Sequence, residues 1–595
     1  MSIQSSGLPA SGVIGRTGAA ATGDPMQRIS MAVQRGDVAG ARAIAEEARK
    51  ARPKDARLAN TAGDLALKAG DPAAAASHFA DACKLAPDTL DFALNHAIAL
   101  QQQGLDRQVI ARLEPRAAAG AKVARYASIR ALSHRTLGEP AEAARWYDQV
   151  LALDPNHIRG HHGRARVALE RGEAGALVRF DTAIKLNPGD ADLWLGKAQA
   201  LDVEGDIAGA RIVADQICAQ APGFIAALEF ASGLRLAAGE SDYTAPFKDA
   251  AKRAPQDPNI AFAHARTLSG LDHFAQAADV SAEARTRFAG QDVFALLEAT
   301  NASCAGQWER AEAIFAGLNA DTPDAALHEA RHRLRARDAD RAQALLGRAL
   351  AGDASDISAW ALQGIAWRIA PDAHSKDRAA WLHEQAGLVQ FRPLEGRSGL
   401  IDDCVALLRE IHAGSAMPLG QSLRGGTQTR GILFHRTEPL LAELHTAICD
   451  TIKAYRADLP AHDGSHPLLR HCGKDWRLAG SWSVRLTAHG NPDNAGDGDY
   501  HASHIHPQGI TSSALYLVVP DAAHAGGQHG WLEIGRPPPD LGLSLEPLRV
   551  IQPQIGHLAL FPSTLYHGTT AFGGGASGAD AERMTVAFDV VPQAG

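Results

Sequence analysis

The stretch HASHIHPQG, residues 501–509, sets His504 and His506 two positions apart. Side chains alternate between faces along a β-strand, so a strand here would aim both imidazoles the same way, as a metal site requires. His567 is the candidate third ligand, carried a few residues beyond an apolar strand in HLALFPSTLYHG. A histidine pair on one strand and a distant histidine at the end of another form a facial triad and leave the opposite side of a metal open. Sixteen residues further on, Arg583 opens the run RMTVAFDVV, and Thr585 points the same way. A buried arginine with a hydroxyl beside it makes a bidentate clamp for a carboxylate. Iron sites of this kind usually include a carboxylate ligand, and HASHIHPQG offers none. Three arrangements are open: His506 is the third ligand, His506 swings away in favour of water, or Glu533 in GWLEIG approaches from a neighbouring strand.

Other residues nearby carry weaker signals. His501 falls on the opposite face from His504 by alternation, and His557 follows a glycine at a strand entry, which suits a structural role. Trp482 and Arg485 in SWSVRL either line a substrate mouth or belong to an ordinary packed strand. The segment GQSLRGGTQT (420–429) is glycine-rich but lacks a Walker lysine, so it suits an entrance loop better than a phosphate cradle.

The elements that must position these residues change character near residue 386. Beyond it, amphipathic helices are expected at Leu400–Ile411 and around Leu440–Tyr455. They precede short β-like runs at 481–488, 510–519, 529–535, 557–562 and 583–591, a spacing that predicts a β-sandwich or jelly roll with helical buttresses. Before it, the chain is alanine-rich and repetitive. Gly36, Gly70, Gly104, Gly138, Gly172, Gly205 and Gly239 recur every 33 or 34 residues, and Pro53, Pro87, Pro155, Pro188, Pro222 and Pro255 keep the same beat. Aromatic residues stand eight before three of the prolines (Phe79, Tyr147, Phe180), and alanines stand twelve before (Ala75, Ala143, Ala176, Ala210). Small residues let antiparallel helices cross closely, the aromatic fills the gap to the next repeat, and proline stops the second helix. With weaker copies at Asp272–Ala277 and Gly306–Ala311, about ten repeats are expected. Neighbouring histidines in NHIRGHHGRAR (His157, His161, His162) face different ways on a helix and read as polar surface.

The period and internal pattern resemble a tetratricopeptide repeat array, which usually presents a groove to a protein or peptide. The fragments GQSLRGGTQTRGILF, GSWSVRL, HASHIHPQGITSSALYLVVP, GWLEIGRP, GHLALFPSTLYHGT and RMTVAFDVV together resemble the 2-oxoglutarate/Fe(II) oxygenases of bacteria and phage that carry an H-x-H-P motif. Bacterial members of that family are often fused to such repeats. The resemblance implies a multidomain α + β protein: a disordered tail over 1–25, a tetratricopeptide superhelix over 26–385, and a double-stranded β-helix over 386–595. It implies Fe(II) held by His504 and His567, with His506 where the wider superfamily has Asp or Glu. It also implies 2-oxoglutarate as co-substrate, its distal carboxylate gripped by Arg583 with Tyr516 and Thr585 as helpers. The expected activity is hydroxylation of a protein or peptide delivered by the groove, and the last repeats run into 367–388 with no Gly/Ser linker, which predicts a stiff junction.

Composition narrows the field. There are 59 basic and 67 acidic side chains and no basic run, which argues against nucleic acid as a partner. The six cysteines (Cys83, Cys218, Cys304, Cys404, Cys449, Cys472) show no framework spacing and suit a reducing compartment. The N-terminal stretch lacks the apolar core of a secretory signal, and no apolar run reaches the ~20 residues of a membrane span, so a cytoplasmic protein is expected. The competing classes are a cupin-like three-histidine enzyme that does not use 2-oxoglutarate, a zinc site activating water, and a scaffold that binds partners without turnover.

Overall fold

The computed structural model describes residues 24–318, 322–415, 422–487, 499–523, 528–571 and 582–593. The expected tail therefore lies almost entirely outside the described residues. Two compact units are formed, Met1–Gly163 and Arg164–Gly595. Among the described residues, eleven helix pairs and one short extra helix, Ala117–Gly120, run from Pro25 to His383, and a β-rich region follows. No helix among the described residues is long and apolar enough to cross a membrane.

The first unit shows how the repeat builds a hairpin. Helix Pro72–Leu85 starts with Asp71 accepting a hydrogen bond from the Ala74 amide (3.0 Å) and with Pro72 in its first turn. Proline has no N–H to waste there and its φ is already helical. Phe79 is fully buried on that helix, against the bare backbone of Gly63 on the helix before.

In the second unit the recurrent glycine sits where the turn between paired helices needs a positive φ, as at Gly205 (+87°). Asp272 (+64°) and Arg337 (+59°) adopt the same left-handed backbone in later, weaker copies. The turn geometry thus persists after its sequence marker has gone.

The β-rich region holds eleven strands: β1 Gln390–Pro393, β2 Leu423–Arg424, β3 Thr427–Gln428, β4 Trp476–Thr487, β5 Tyr500–His501, β6 Thr511–Val518, β7 Leu532–Ile534, β8 Arg549–Ile551, β9 His557–Pro562, β10 His567–Thr569 and β11 Glu582–Pro592. A six-stranded sheet runs β1-β9-β6-β11-β4-β3, a three-stranded sheet runs β10-β7-β8, and β2 pairs with β5. Helices Leu400–Ala413 and Pro439–Ala457, both expected, bury Leu408, Leu444 and Ile448 against Leu515, Leu558, Leu560 and Val586 on one face of the large sheet. Its other face meets the small sheet, where Leu532 and Ile534 pack on Ala559 and Phe561. A strand covered on both faces has no solvent side, which is why HLALFP reads as a continuous apolar run.

The later repeats share a core of their own with the β-rich region. Leu541 and Tyr566 are buried in one cluster with Leu334, Leu345, Leu346 and Leu362 of the repeat helices, and Ile505 packs against it. Asp540 accepts hydrogen bonds from Arg331 (2.7 and 3.0 Å) and from Arg335, and Arg331 also donates to the Tyr566 hydroxyl (3.1 Å). Further contacts come repeat by repeat: the Thr437 amide donates to the Arg171 carbonyl (3.2 Å), Arg430 pairs with Asp202 (2.8 Å), Arg424 pairs with Asp272, and Arg368 donates to the Glu546 carbonyl (2.6 Å). The junction is a long seam of contacts spread over several repeats.

This seam sets an expectation for truncation. A fragment beginning at residue 386 would leave Leu541, Tyr566 and Ile505 without their partners, and should fail to unfold cooperatively, whereas one beginning near residue 154 should melt as the parent does. Asp540→Ala in the full chain strands two partly buried arginines and should cost about 3 kcal/mol in denaturant titrations. A cooperative 386–595 fragment with the parent's midpoint would make the seam dispensable.

Candidate metal centre

The histidine segments meet through backbone pairing. His504 and His567 exchange two hydrogen bonds, each 2.9 Å from amide to carbonyl, in an isolated antiparallel bridge. β10, which begins with His567, is fixed in turn by pairing with β7, His567 opposite Ile534. His506 follows in a turn, its carbonyl accepting from the Gly509 amide at 3.3 Å. The pair therefore shares a face through a bridge and a turn, not through the continuous strand that its spacing suggests.

The three rings converge. Their centroids lie 4.4 Å (His504–His567), 4.9 Å (His506–His567) and 5.0 Å (His504–His506) apart, and one nitrogen from each falls within 4.8 Å of the others. Every Nδ1 is committed outward. His504 Nδ1 faces the Ala502 carbonyl at 2.8 Å and His567 Nδ1 faces the Leu565 carbonyl at 3.1 Å. His506 Nδ1 faces the Asp589 carboxylate at 2.6 Å. Carbonyls and carboxylates only accept, so each Nδ1 carries a proton and each Nε2 faces inward. The Nε2 atoms of His504 and His506 are 3.0 Å apart. A proton or a metal ion between them satisfies both nitrogens at that distance. Two nitrogens each ~2.1 Å from one ion at a right angle would be ~3.0 Å apart, so this pair suits neighbouring positions on one ion, and a nitrogen of His567 lies within 4.8 Å of both.

Electrostatics favour ligation over protonation. Burial, followed by the neighbouring imidazoles, pushes His504 down to about 3 and His567 well below an ordinary imidazole. Both stay neutral at physiological pH, the form that binds metal.

The same cavity, about 440 Å³, is lined by the three histidines and, along β11, by Arg583, Thr585, Ala587 and Asp589. Arg583 is 2% exposed, and its Nε has no hydrogen-bond partner among the described residues. Its guanidinium lies 5.3 Å from the ring centre of Tyr516, whose buried hydroxyl stands beside it. Thr585 and Tyr516 stand opposite each other in the β11–β6 register. Burial drives the Arg583 pKa down and the Tyr516 pKa up, and the arginine's charge opposes the latter. A buried cation without a described carboxylate fits an anionic ligand.

Several sequence expectations change here. His501 lines this cavity, its ring 5.8 Å from His504, because β5 ends at His501 and parity does not carry through the irregular residues that follow. Glu533 is held by Arg536 (2.6 and 2.8 Å) and stands outside the converging group. Trp482 lines the cavity, with its ring 5.4 Å from His506, whereas Arg485 turns to Glu582 at 2.6 Å. Ser422 and Gln428 of the glycine-rich segment reach the cavity, and residues 420 and 421 lie outside the described residues. His557 stacks obliquely on Phe391 at 5.1 Å, as suits a structural residue. Asp589 was missed, although it shares the parity of Arg583 and Thr585 along one strand.

A family model described as "Putative 2OG-Fe(II) oxygenase" matches residues 492–589, a span that contains the three histidines, Arg583 and Asp589. A "Tetratricopeptide repeat" model matches residues 29–89 and 161–223. Over these spans the chain matches a tetratricopeptide model and a model of that oxygenase family. No curated protein matches. Among solved structures, a tetratricopeptide repeat protein from Parabacteroides merdae ATCC 43184 is 18% identical, with 40% of this chain and 96% of that chain covered and a TM-score of 0.35. PilW, described as a widely conserved type IV pilus biogenesis factor, is 18% identical over 33% of this chain and 92% of its own, at a TM-score of 0.31. YrrB, described as a TPR protein with an unusual peptide-binding site, is 15% identical over 28% of this chain and 86% of its own, at 0.25.

The convergence of the rings predicts one high-affinity divalent site. His504→Ala and His567→Ala should each abolish one-to-one Fe(II) or Co(II) binding in anaerobic titrations, and His506→Ala should weaken it. A His506→Ala variant with parental affinity would remove His506 from the ligand set.

Proposed function

We propose that the protein is a 2-oxoglutarate- and Fe(II)-dependent oxygenase that hydroxylates a protein or peptide. One observation carries this reading: a single cavity holds three convergent imidazoles and a buried arginine with an unpartnered Nε. His504, His506 and His567 would hold the iron. Arg583 would grip the distal carboxylate of 2-oxoglutarate, with Thr585 and Tyr516 offering hydroxyls beside it. Iron with this co-substrate supplies the activation of dioxygen, with 2-oxoglutarate leaving as succinate and carbon dioxide as one oxygen atom goes into a substrate C–H bond.

The chain's own share is positioning and exclusion of water. The planar fork of Arg583 sets the orientation of a dicarboxylate, and the sheet faces around it keep the ion pair dry, where its Coulomb energy is large. Outward donation by each Nδ1 orients the rings with Nε2 toward the metal. Trp482 and Gln428 on the cavity wall face the space left for substrate. The sheet order agrees with a double-stranded β-helix, since the large and small sheets face each other over Leu532, Ile534, Ala559 and Phe561 with the cavity on the same strands. The repeats would recruit the polypeptide and raise its effective concentration at the iron. Cytoplasmic residence accords with the unpaired cysteines.

Arg583 separates this reading from a cupin-like enzyme or a non-catalytic scaffold. Removing a buried, charge-assisted partner costs about 2–5 kcal/mol, so Arg583→Ala should weaken 2-oxoglutarate binding by roughly 30-fold or more. Arg583→Lys should rescue poorly because it lacks the fork. Succinate production by Arg583→Ala at the parent's rate, at limiting 2-oxoglutarate, would contradict the assignment.

A further inference from the structure

Three neutral imidazoles leave a divalent ion with no charge compensation, whereas a carboxylate ligand would offset half of it. We propose that Asp589 supplies this missing charge from one step further out, as a positioning residue that acts on the metal through His506. The proposal rests on the reading of the histidines as a metal centre.

The pairing is specific to His506. The rings of His504 and His567 are braced by backbone carbonyls, which carry no net charge. Only His506, at the position where the family resemblance leads one to expect a carboxylate, is braced by one, at 2.6 Å. Both side chains are largely buried, 12% and 14% exposed, so the charge is poorly screened. Among the described residues His506 is the one ion-pair partner of Asp589. A carboxylate accepting from Nδ1–H draws that proton toward itself and makes Nε2 a stronger, more anionic donor.

The surrounding backbone makes room for this contact. β11 changes register against β4 between Asp589 and Val590, and Gly480 is the residue opposite Asp589. Such irregularities re-aim a side chain that regular pairing would fix. On the other side, a Cβ added at Gly509 would stand 3.2 Å from the Asp589 Cβ and 3.3 Å from the Val590 carbonyl oxygen. A side chain at Gly509 would therefore crowd Asp589, and the glycine lets the turn after His506 close against it.

The test is anaerobic Fe(II) titration of the full-length protein, with Co(II) absorption as a report on ligand geometry. Asp589→Asn keeps the shape and a hydrogen-bond acceptor and removes only the charge. It should weaken Fe(II) binding by about 10–100-fold while leaving the Co(II) ligand-field spectrum as in the parent. His506→Asp alone would set two carboxylates side by side and should bind Fe(II) more weakly than the double variant His506→Asp/Asp589→Asn, which restores one negative charge in contact with the metal. Parental Fe(II) affinity in Asp589→Asn, or a single His506→Asp variant that binds as tightly as the double variant, would overturn the proposal. A parent protein that binds no Fe(II) would instead overturn the metal-centre reading beneath it.

Discussion

Two imidazole nitrogens 3.0 Å apart, each with its proton committed to the far side of its ring, form the constraint on which the rest of the structure depends. The fold holds them there. The backbone bridge between His504 and His567, the Gly509 turn and the Asp589 contact each remove a freedom that would let the rings part. Burial keeps His504 and His567 neutral, which preserves lone pairs that protonation would consume. On the proposed reading, a metal ion takes both of these nitrogens as ligands.

The same logic extends outward to the repeats. Tyr566 precedes His567, Ile505 lies between His504 and His506, and both side chains pack into the core built by repeat helices between Pro323 and Ile369. The arginines of helix Pro323–Arg335 close on Asp540 and Tyr566 over the same region. The ligand segments are therefore braced from behind by the array. The array's seam with the β-rich region makes it part of the scaffold of the site, whatever it also recruits.

Much of this was legible in the sequence because it was local or periodic. The 34-residue beat gave the helix pairs, and the glycines at its turns take positive φ as their position demands. The histidine trio and Arg583 were legible because few other roles suit those residue types at the ends of apolar runs. What escaped depended on irregular backbone or on distance along the chain. His501 was assigned to the wrong face because alternation was extended past the end of β5. Asp589 contacts a histidine 83 positions away across a register change, which alternation cannot foresee. The Arg331–Asp540 contact spans 209 positions, and nothing local marks either residue as a partner. Later turns at Asp272 and Arg337 had lost their glycines, so the pattern dimmed while the geometry remained.

The central claim is that the three histidines and Arg583 make one site for a metal and a dicarboxylate together. The most direct measurement is anaerobic addition of 2-oxoglutarate to the Fe(II)-loaded full-length protein, followed by visible absorption. Chelation through the 2-oxo acid end should produce a charge-transfer band that saturates at one equivalent, requires iron, and is not reproduced by succinate, which lacks the 2-oxo group. Absence of the band despite stoichiometric iron, or 2-oxoglutarate binding of equal affinity with and without metal, would contradict the account.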